Sequence, residues 1–289
     1  MRSEDEMFEL ILSFARRDER VRLAALNGSR TNPNVPKDVF QDYDAVYAVT
    51  DMDSFKNDPN WVDYFGSRVI MQTPEAMSLF PPSLGNWFSY LMLFEDGNRI
   101  DLMLVPLEEL DSYLYNDKLI RILLDKDGRA PSLPPPSDED YHVKKPSAEF
   151  FDDCCNEFWW VSTYVVKGLC RGEFLYAADH LNSYVRPCLL RMLSWKAGIG
   201  TNFSVSMGKS YKYLDKYISK DEWDQLKSSC RCGSAEDIWN SLMECQKLFR
   251  QSSGFVSEQL AFPYPDYDAK VTAYTESIRA SWPAAAGGA

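Results

Sequence analysis

The proline-rich stretch over residues 125–147 is the feature that most restricts how this chain can fold. Its prolines cannot continue a helix or a central strand, because proline lacks a backbone N–H and fixes φ. Before this stretch, short apolar runs alternate with turns; after it, apolar residues recur at the period of amphipathic helices. We therefore predict two domains, residues 1–135 and 136–289, although 289 residues could also form one large domain.

The first half of the chain has the pattern of a helix followed by several short strands. Apolar spacing predicts a helix over residues 4–17, and buried apolar runs predict strands over 21–26 and 43–50. Two further runs, 87–94 and 100–105, flank the turn sequence Glu-Asp-Gly-Asn and predict an antiparallel hairpin. We expect these elements to form a mixed β-sheet with flanking helices.

The second half has the longer periods of a helical bundle. We predict helices over residues 150–169, 174–195, 211–218, 221–226, 235–249 and 267–278. Pro187 falls inside the second of these and should kink it or divide it in two. The tail, residues 283–289, has nothing to bury and should be disordered. The predicted fold class is α+β: a mixed β-sheet domain with flanking helices, followed by an α-helical bundle.

The net charge, the N-terminal segment and the cysteine spacing indicate which partners, compartment and metal ligands to expect. The net charge of -12 argues against a nucleic-acid partner and would attract a cation, although such a charge often serves solubility alone. The charged N-terminal segment and the lack of a long apolar run argue against a secretory peptide or a membrane span, so we expect a cytoplasmic protein. The seven Cys have neither disulfide nor zinc spacing, so any metal should be bound by oxygen.

Three aspartates stand where strands should bring carboxylates together. Asp42 and Asp44 lie at the start of the second strand, and their spacing of two puts both side chains on one face. Asp101 interrupts the apolar run of a later strand, where an unpaired carboxylate is costly. If the two strands are neighbours, the acids form one cluster that Mg2+ would neutralise, because Mg2+ takes oxygen ligands. Such an ion can also bridge a nucleoside triphosphate.

A short turn, separated from Asp42 by twelve residues, completes this pattern. Gly28 follows the first strand and permits a close backbone approach, and Ser29 offers a hydroxyl and an N–H to phosphate oxygens. Arg30 could add positive charge to that contact. Each feature alone is common in unrelated chains, but Gly-Ser, Asp-x-Asp and Asp in this order together favour a nucleotide site.

Longer segments extend the pattern beyond single motifs. They are LNGSRTNPNVPKD at 26–38 with DYD at 42–44, NRIDLMLVP at 98–106, CCNEFWWVSTY at 154–164, DHLN at 179–182 with RP at 186–187, and LRMLSWK at 190–196. In these segments, which are spread along nearly the whole chain, the sequence closely resembles the aminoglycoside 6-adenylyltransferases. That family, often called the streptomycin adenylyltransferases, belongs to the polymerase-beta-like nucleotidyltransferase superfamily.

This resemblance implies roles for the residues above. Asp42 and Asp44 would be metal ligands. Gly28 and Ser29 would line the triphosphate. Asp101 would be a third metal ligand or the general base that accepts the substrate's proton.

The resemblance also implies a reaction. AMP would move from Mg-ATP to a hydroxyl of a cationic aminoglycoside, with the 6 position of streptomycin as the expected acceptor, and pyrophosphate would be released. The modified antibiotic could no longer engage its target, so the enzyme would confer antibiotic resistance. ATP is expected to bind between the sheet domain and the bundle.

Candidate ligand contacts in the bundle are less distinctive. Lys209, Lys212 and Lys216 recur at helical spacing. In similar enzymes, basic residues of this domain contact the nucleotide phosphates, and Lys209 is the candidate for that contact. The alternative is that these lysines only form a solvated basic face. A polycation rich in hydroxyls requires carboxylates and aromatic faces, and the candidates are Glu157, Trp159, Trp160 and Asp179. Each also has an ordinary explanation, as bundle core for the tryptophans and as solvated or locally paired charge for the acids.

Two other functions stay open at this point. A nucleotidyltransferase of this kind could modify a protein or a tRNA end, although the negative charge argues against RNA. A non-catalytic nucleotide-sensing module could retain the fold, and the loss of a carboxylate would mark it, but all three acids are present. The sequence leaves open the preferred aminoglycoside, the use of nucleotides other than ATP, and the oligomeric state.

Overall fold

The computed structural model describes residues 1–282, apart from the side chain of Pro59. The chain divides into two compact units, Met1–Asp140 and a second that begins at Tyr141. The first unit carries a six-stranded sheet with flanking helices, and the second is helical. The predicted α+β class is confirmed. The tail predicted to be disordered, residues 283–289, lies outside the described residues.

The first unit is built on a mixed sheet. Its elements are, in chain order, α1 (Glu4–Arg17), β1 (Val21–Asn27), β2 (Tyr43–Val49), α2 (Met52–Asn57), β3 (Arg68–Gln72), β4 (Phe88–Phe94), β5 (Arg99–Pro106), α3 (Leu110–Leu114) and β6 (Ile120–Asp125). The strands follow the order β3-β4-β5-β2-β1-β6 across the sheet. β2 and β5 are parallel, and the other neighbouring strands are antiparallel.

Helix α1 begins and ends where the sequence predicts. The hydroxyl of Ser3 accepts a hydrogen bond from the N–H of Glu6, and the carboxylate of Glu6 accepts one from the N–H of Ser3. This reciprocal cap satisfies two N–H groups that a helix start leaves without partners. Met7 and Ile11, one turn apart, are buried against one face of the sheet.

The hairpin of β4 and β5 is confirmed, with Gly97 in its turn at φ 84°. β3 and β6 were not predicted. Both lie at the edges of the sheet, and their side chains are mostly half-buried or exposed. An edge strand packs on fewer neighbours than a central one, so its apolar pattern is weaker.

Helix α3 packs on the second face of the sheet. Leu110, Tyr113 and Leu114 of that helix pack with Ala25 and Val46 of the central strands. β2 is buried along almost its whole length, and Asp44 is its one half-buried position. Because side chains alternate between faces, Asp44 projects from the same face as Val46, toward the α3 side.

The second unit is a bundle of long and short helices. They are α4 (Ala148–Cys170), α5 (Phe174–His180), α6 (Arg186–Gly200), α7 (Lys220–Ser228), α8 (Ala235–Leu260) and α9 (Tyr267–Ser281). A π-helical turn, Leu181–Val185, joins α5 to α6, and Pro187 stands in the first turn of α6. The segment predicted as one helix is thus interrupted by a π-helical turn just before Pro187, while the backbone at Leu181, Val185 and Arg186 keeps right-handed helical φ/ψ. Over residues 1–282, no helix combines the length and the apolar character needed to cross a membrane.

The α-helix predicted over residues 211–218 is wrong. This segment forms two short 3-10 turns, Lys209–Tyr211 and Leu214–Lys216. Ser210 and Tyr211 have φ values of 55° and 60°, in the left-handed region. Consecutive residues of that kind cannot continue a right-handed helix. The three lysines of this segment therefore do not share one helical face.

Candidate active site

The parallel pairing of β2 with β5 brings two of the predicted acids side by side. Asp44 and Asp101 are direct partners in the register of these strands. Asp42 stands just before β2, and its side chain is 37% exposed, against 22% for that of Asp101. The two strands are neighbours, as the sequence analysis required for a shared acid cluster.

Arg99 lies among these acids, and its role was not predicted from the sequence. Its guanidinium donates two hydrogen bonds to the carboxylate of Asp101, at 2.8 and 2.9 Å. Its Nε also lies 3.6 Å from an oxygen of Asp42. The guanidinium therefore provides a positive charge where two carboxylates converge.

Asp44 has a different environment from the other two acids. Its side chain forms no hydrogen bond or ion pair in the described part of the chain, and Arg99 is directed toward its neighbours. Burial, followed by the charges of Asp101 and Asp42, raises the pKa of Asp44 to about 6. A cation that approaches this carboxylate would therefore stabilise its ionised form.

The turn after β1 is in contact with Asp44. Gly28 has φ 69°, and a Cβ atom at that position would lie 2.2 Å from Oδ2 of Asp44. The backbone of Gly28 therefore approaches the carboxylate more closely than any side chain would permit. Ser29 follows it and is half-buried.

Arg30 is held by the protein rather than directed into open space. Its guanidinium stacks on the ring of Tyr43 at 3.7 Å and donates hydrogen bonds to the carbonyls of Gln41 and Asp42. Only 8% of its side chain is exposed. These contacts fix the backbone that enters β2, so the structure gives Arg30 a positioning role toward Asp42 and supplies no observation for the predicted phosphate contact.

The acids have the chemistry of a site for a hard cation. Within residues 1–282, no three His, Cys, Asp or Glu side chains are grouped as a metal site. However, Asp42, Asp44 and Asp101 offer carboxylate oxygens, which Mg2+ prefers. Arg99 shows that the cluster already attracts a positive charge. The residues therefore fit Mg2+, and the ligand roles of the three acids stay a prediction.

Of the residues of the second unit that were predicted to bind ligands, one is in the core and the others are on the surface. Trp159 is 1% exposed and packs against Phe158 and Phe249 in the core. A ring that is buried in this way has no surface to offer a ligand, so the structure corrects its predicted substrate contact. Trp160, by contrast, is 58% exposed and donates a hydrogen bond to the hydroxyl of Tyr164.

The remaining predicted residues of this unit are on the surface. Glu157 and Lys209 are exposed. Asp179 is exposed too, and its carboxylate accepts a hydrogen bond from the hydroxyl of Ser183 at 2.8 Å. Their predicted contacts with substrate or nucleotide stay predictions.

Comparison with known proteins identifies the family. The family model described as streptomycin adenylyltransferase matches residues 1–278. The aminoglycoside 6-adenylyltransferase of Bacillus subtilis (strain 168) is 54% identical over 282 residues, which are 97% of this chain and 99% of that protein. The aminoglycoside 6-adenylyltransferase of Campylobacter jejuni is 51% identical over 95% of both chains.

One solved structure is also similar to this chain in sequence. The crystal structure of an aminoglycoside 6-adenyltransferase from Bacillus subtilis is 50% identical to this chain, covers 96% of it and 99% of its own length, and has a TM-score of 0.48. The family model and the curated relatives confirm the resemblance found in the sequence motifs. The chain belongs to the streptomycin adenylyltransferase family and is a nucleotidyltransferase.

Proposed function

We propose that this enzyme transfers AMP from Mg-ATP to a hydroxyl of an aminoglycoside, with the 6 position of streptomycin as the acceptor, and releases pyrophosphate. The names of the relatives support the class of acceptor and the position. Conversion of the antibiotic to its adenylylated form would confer resistance. The seven cysteines of the chain are free, which is consistent with action in the reducing cytoplasm, where ATP is available.

The observation that carries this proposal is the pairing of Asp44 with Asp101 beside the turn at Gly28. A nucleotidyl transfer needs negative charge held next to a phosphate-binding turn, so that a cation can link the two. Mg2+, when bound by Asp42 and Asp44, would neutralise charge on the phosphates and on the departing pyrophosphate. The turn at Gly28 and Ser29 would receive the triphosphate with backbone N–H groups and one hydroxyl.

The acceptor hydroxyl needs a base, and Asp101 is the candidate. The hydroxyl oxygen forms a bond to the α-phosphorus while the bond from that phosphorus to the pyrophosphate oxygen breaks. The hydroxyl proton passes to a carboxylate oxygen of Asp101. The two hydrogen bonds from Arg99 hold this carboxylate in one orientation. A fixed orientation favours transfer of the proton from a correctly placed hydroxyl.

The test is acceptor-dependent release of pyrophosphate. Wild type is compared with Asp44→Asn and Asp101→Asn, each with streptomycin, a kanamycin-type aminoglycoside or no acceptor. We expect release with streptomycin and a loss of at least about 100-fold in both variants, the usual scale for the loss of a catalytic acid or base. Asp111→Asn, the same substitution at an exposed carboxylate of α3, is the matched control and should keep wild-type rates.

Two results would contradict the proposal. Folded wild type that releases no pyrophosphate above the level without acceptor would remove the aminoglycoside as substrate. Full activity in Asp101→Asn would remove Asp101 as the base while leaving the acceptor in place.

A further inference from the structure

A cavity of about 380 Å3 opens beside the acids, entirely within Met1–Asp140. Asp44 and Asp101 line it, together with Gly28 of the turn. Pockets for drug-sized ligands range from roughly 300 to 1,000 Å3. The cavity is therefore large enough for part of a carbohydrate-like antibiotic, such as one of its rings.

The floor of this cavity is a regular surface of three neighbouring strands. In the strand register, Leu91, Asp101 and Asp44 form one row across β4, β5 and β2. Ser89, Met103 and Val46 form the next row. All six residues line the cavity. Residues two apart on a strand are separated by roughly 7 Å, so a ring lying on the second row has its edge at the acids of the first.

Two aromatic side chains, Trp87 and Tyr113, also line the cavity as an aromatic wall, and hydrogen bonds hold both in place. The indole N–H of Trp87 donates a hydrogen bond to Glu109 at 2.7 Å, and the amide of Asn86 donates another to the same carboxylate at 2.6 Å. The ring of Tyr113 meets that of Trp87 edge to face, with centroids 6.0 Å apart. The Tyr113 hydroxyl donates to the side-chain oxygen of Asn27, the residue before Gly28.

The charged side chains that line the cavity are acidic, and Arg99, which pairs with Asp101, is not among the lining residues. Asp44, Asp101 and Asp117 all contribute to the lining, and none of the described residues that line the cavity is Lys or Arg. With Mg2+ and the triphosphate at the first row and the turn at Gly28, the second row and Asp117 are left for the acceptor. The carboxylate of Asp117 would attract a protonated or guanidinium-bearing ring. Trp87 adds an aromatic face, on which a cation or the apolar face of a sugar can pack.

We propose that this cavity is the acceptor pocket, and that a cationic, hydroxylated ring of the substrate lies on Met103 and Val46 against Trp87. This inference rests on the proposed function and gives the acceptor a place in the first unit, apart from the candidates of the second. The ring directs one hydroxyl along the strands toward Asp101. Positive groups on the ring face Asp117.

The test separates binding of the acceptor from binding of the nucleotide. KM for streptomycin and KM for Mg-ATP are measured in Trp87→Phe, which weakens the aromatic wall, and in Ser89→Leu, which fills the floor. We expect KM for streptomycin to rise about three- to tenfold in Trp87→Phe, the range for one aromatic or cation–π contact, and more in Ser89→Leu. KM for Mg-ATP should stay within about twofold in both.

A second readout does not depend on turnover. Streptomycin is added to the nucleotide-free protein and tryptophan fluorescence is recorded for wild type, Trp87→Phe and Trp223→Phe. Trp223, half-buried on α7, is the matched control for the loss of one indole. The response to streptomycin should be retained in Trp223→Phe and largely lost in Trp87→Phe.

The outcomes distinguish this inference from the proposed function. If wild type adenylylates streptomycin but both pocket variants, with unchanged melting temperatures, keep its KM, the pocket assignment is overturned. A rise in KM for Mg-ATP alone would also overturn it, because the part of the cavity at Trp87 and Ser89 would then hold the nucleotide. If wild type shows no acceptor-dependent reaction and no fluorescence response to streptomycin, both proposals fail together.

Discussion

Gly28 and Asp44 touch across the turn that follows β1, and this contact leaves no space for a side chain at residue 28. Gly28→Ala would place its Cβ 2.2 Å from Oδ2 of Asp44 and would strain a backbone at φ 69°. The carboxylate would have to move by an ångström or more. We expect kcat/KM to fall about 100-fold, because displacements of that size at a reacting centre have that effect.

Gly172 provides the matched control for Gly28. It has the same φ of 69°, but a Cβ there would meet nothing within 4 Å. Gly172→Ala should therefore cost about 1 kcal/mol of unfolding free energy through backbone strain and leave kcat/KM unchanged. Steady-state kinetics and urea unfolding of both variants check this. If Gly28→Ala and Gly172→Ala lose activity equally, the contact with Asp44 is not the cause.

Single residues of the site were predictable only where the periodicity of a strand determines which way their side chains point. The spacing of Asp42 and Asp44 and the apolar run around Asp101 depend on strand periodicity, which is visible in one sequence. Arg99 and Arg30 were different. Which carboxylate or carbonyl an arginine contacts depends on side-chain conformation and on residues distant in the chain, so Arg99 was missed and Arg30 was given a phosphate role.

At the scale of elements, the turn between β4 and β5 is anchored to the N-terminal segment. The carboxylate of Asp96 accepts hydrogen bonds from the backbone N–H and the Nε of Arg2, at 2.9 and 2.7 Å. The Arg2 guanidinium and these hydrogen bonds hold the pKa of Asp96 well below its usual range. Both side chains are about a quarter exposed, so Asp96→Asn should lower the free energy of unfolding by only about 1 kcal/mol at pH 7.

The pH dependence of that effect follows from the direction of the pKa shift. A carboxyl group whose pKa is lower in the folded state stabilises the fold fully above its unfolded-state pKa, near roughly 3.9. The stabilisation is lost as the pH falls through the folded-state pKa. The difference between wild type and Asp96→Asn should thus be constant from pH 5 to 8 and shrink below about pH 4.

Urea unfolding at pH 7, 5 and 3 measures this difference. Glu95→Gln, at the exposed neighbouring position of the same turn, is the control and should unfold like wild type at pH 7. A difference for Asp96→Asn that stays the same at pH 3 would show that packing of the turn, and not the charge of Asp96, stabilises it.

Elements were predictable where their apolar pattern is strong and long. α1 was predicted to the residue, since both its apolar face and its cap are local. α8 continues to Leu260, well beyond the predicted end at residue 249. Its polar continuation is buried, and the hydroxyl of Ser253 donates to the carbonyl of Phe249 within the helix. Local patterns do not show that such serines face a core.

At the scale of the whole molecule, a sheet-containing half and a helical half are predictable, because the period of the apolar residues changes at the proline-rich stretch. The position of the acids within one strand register was also foreseeable in outline. The cavity beside them was not. Its floor and walls come from β1, β2, β4, β5 and the α3 region, and only the tertiary arrangement brings those residues together.

The net charge of the molecule should affect how it captures its acceptor. A chain with a net charge of -12 attracts a polycationic aminoglycoside over distances near the Debye length, about 10 Å at 0.1 M salt and about 3 Å at 1 M. We expect kcat/KM for streptomycin to fall several-fold between 0.05 and 0.5 M KCl, mainly through KM, with kcat nearly constant. KM for Mg-ATP, an anion, should not rise in the same way, because screening weakens its repulsion rather than an attraction. Kinetics at a fixed Mg2+ concentration check this, and equal salt dependence for both substrates would mean that charge attraction does not select the acceptor.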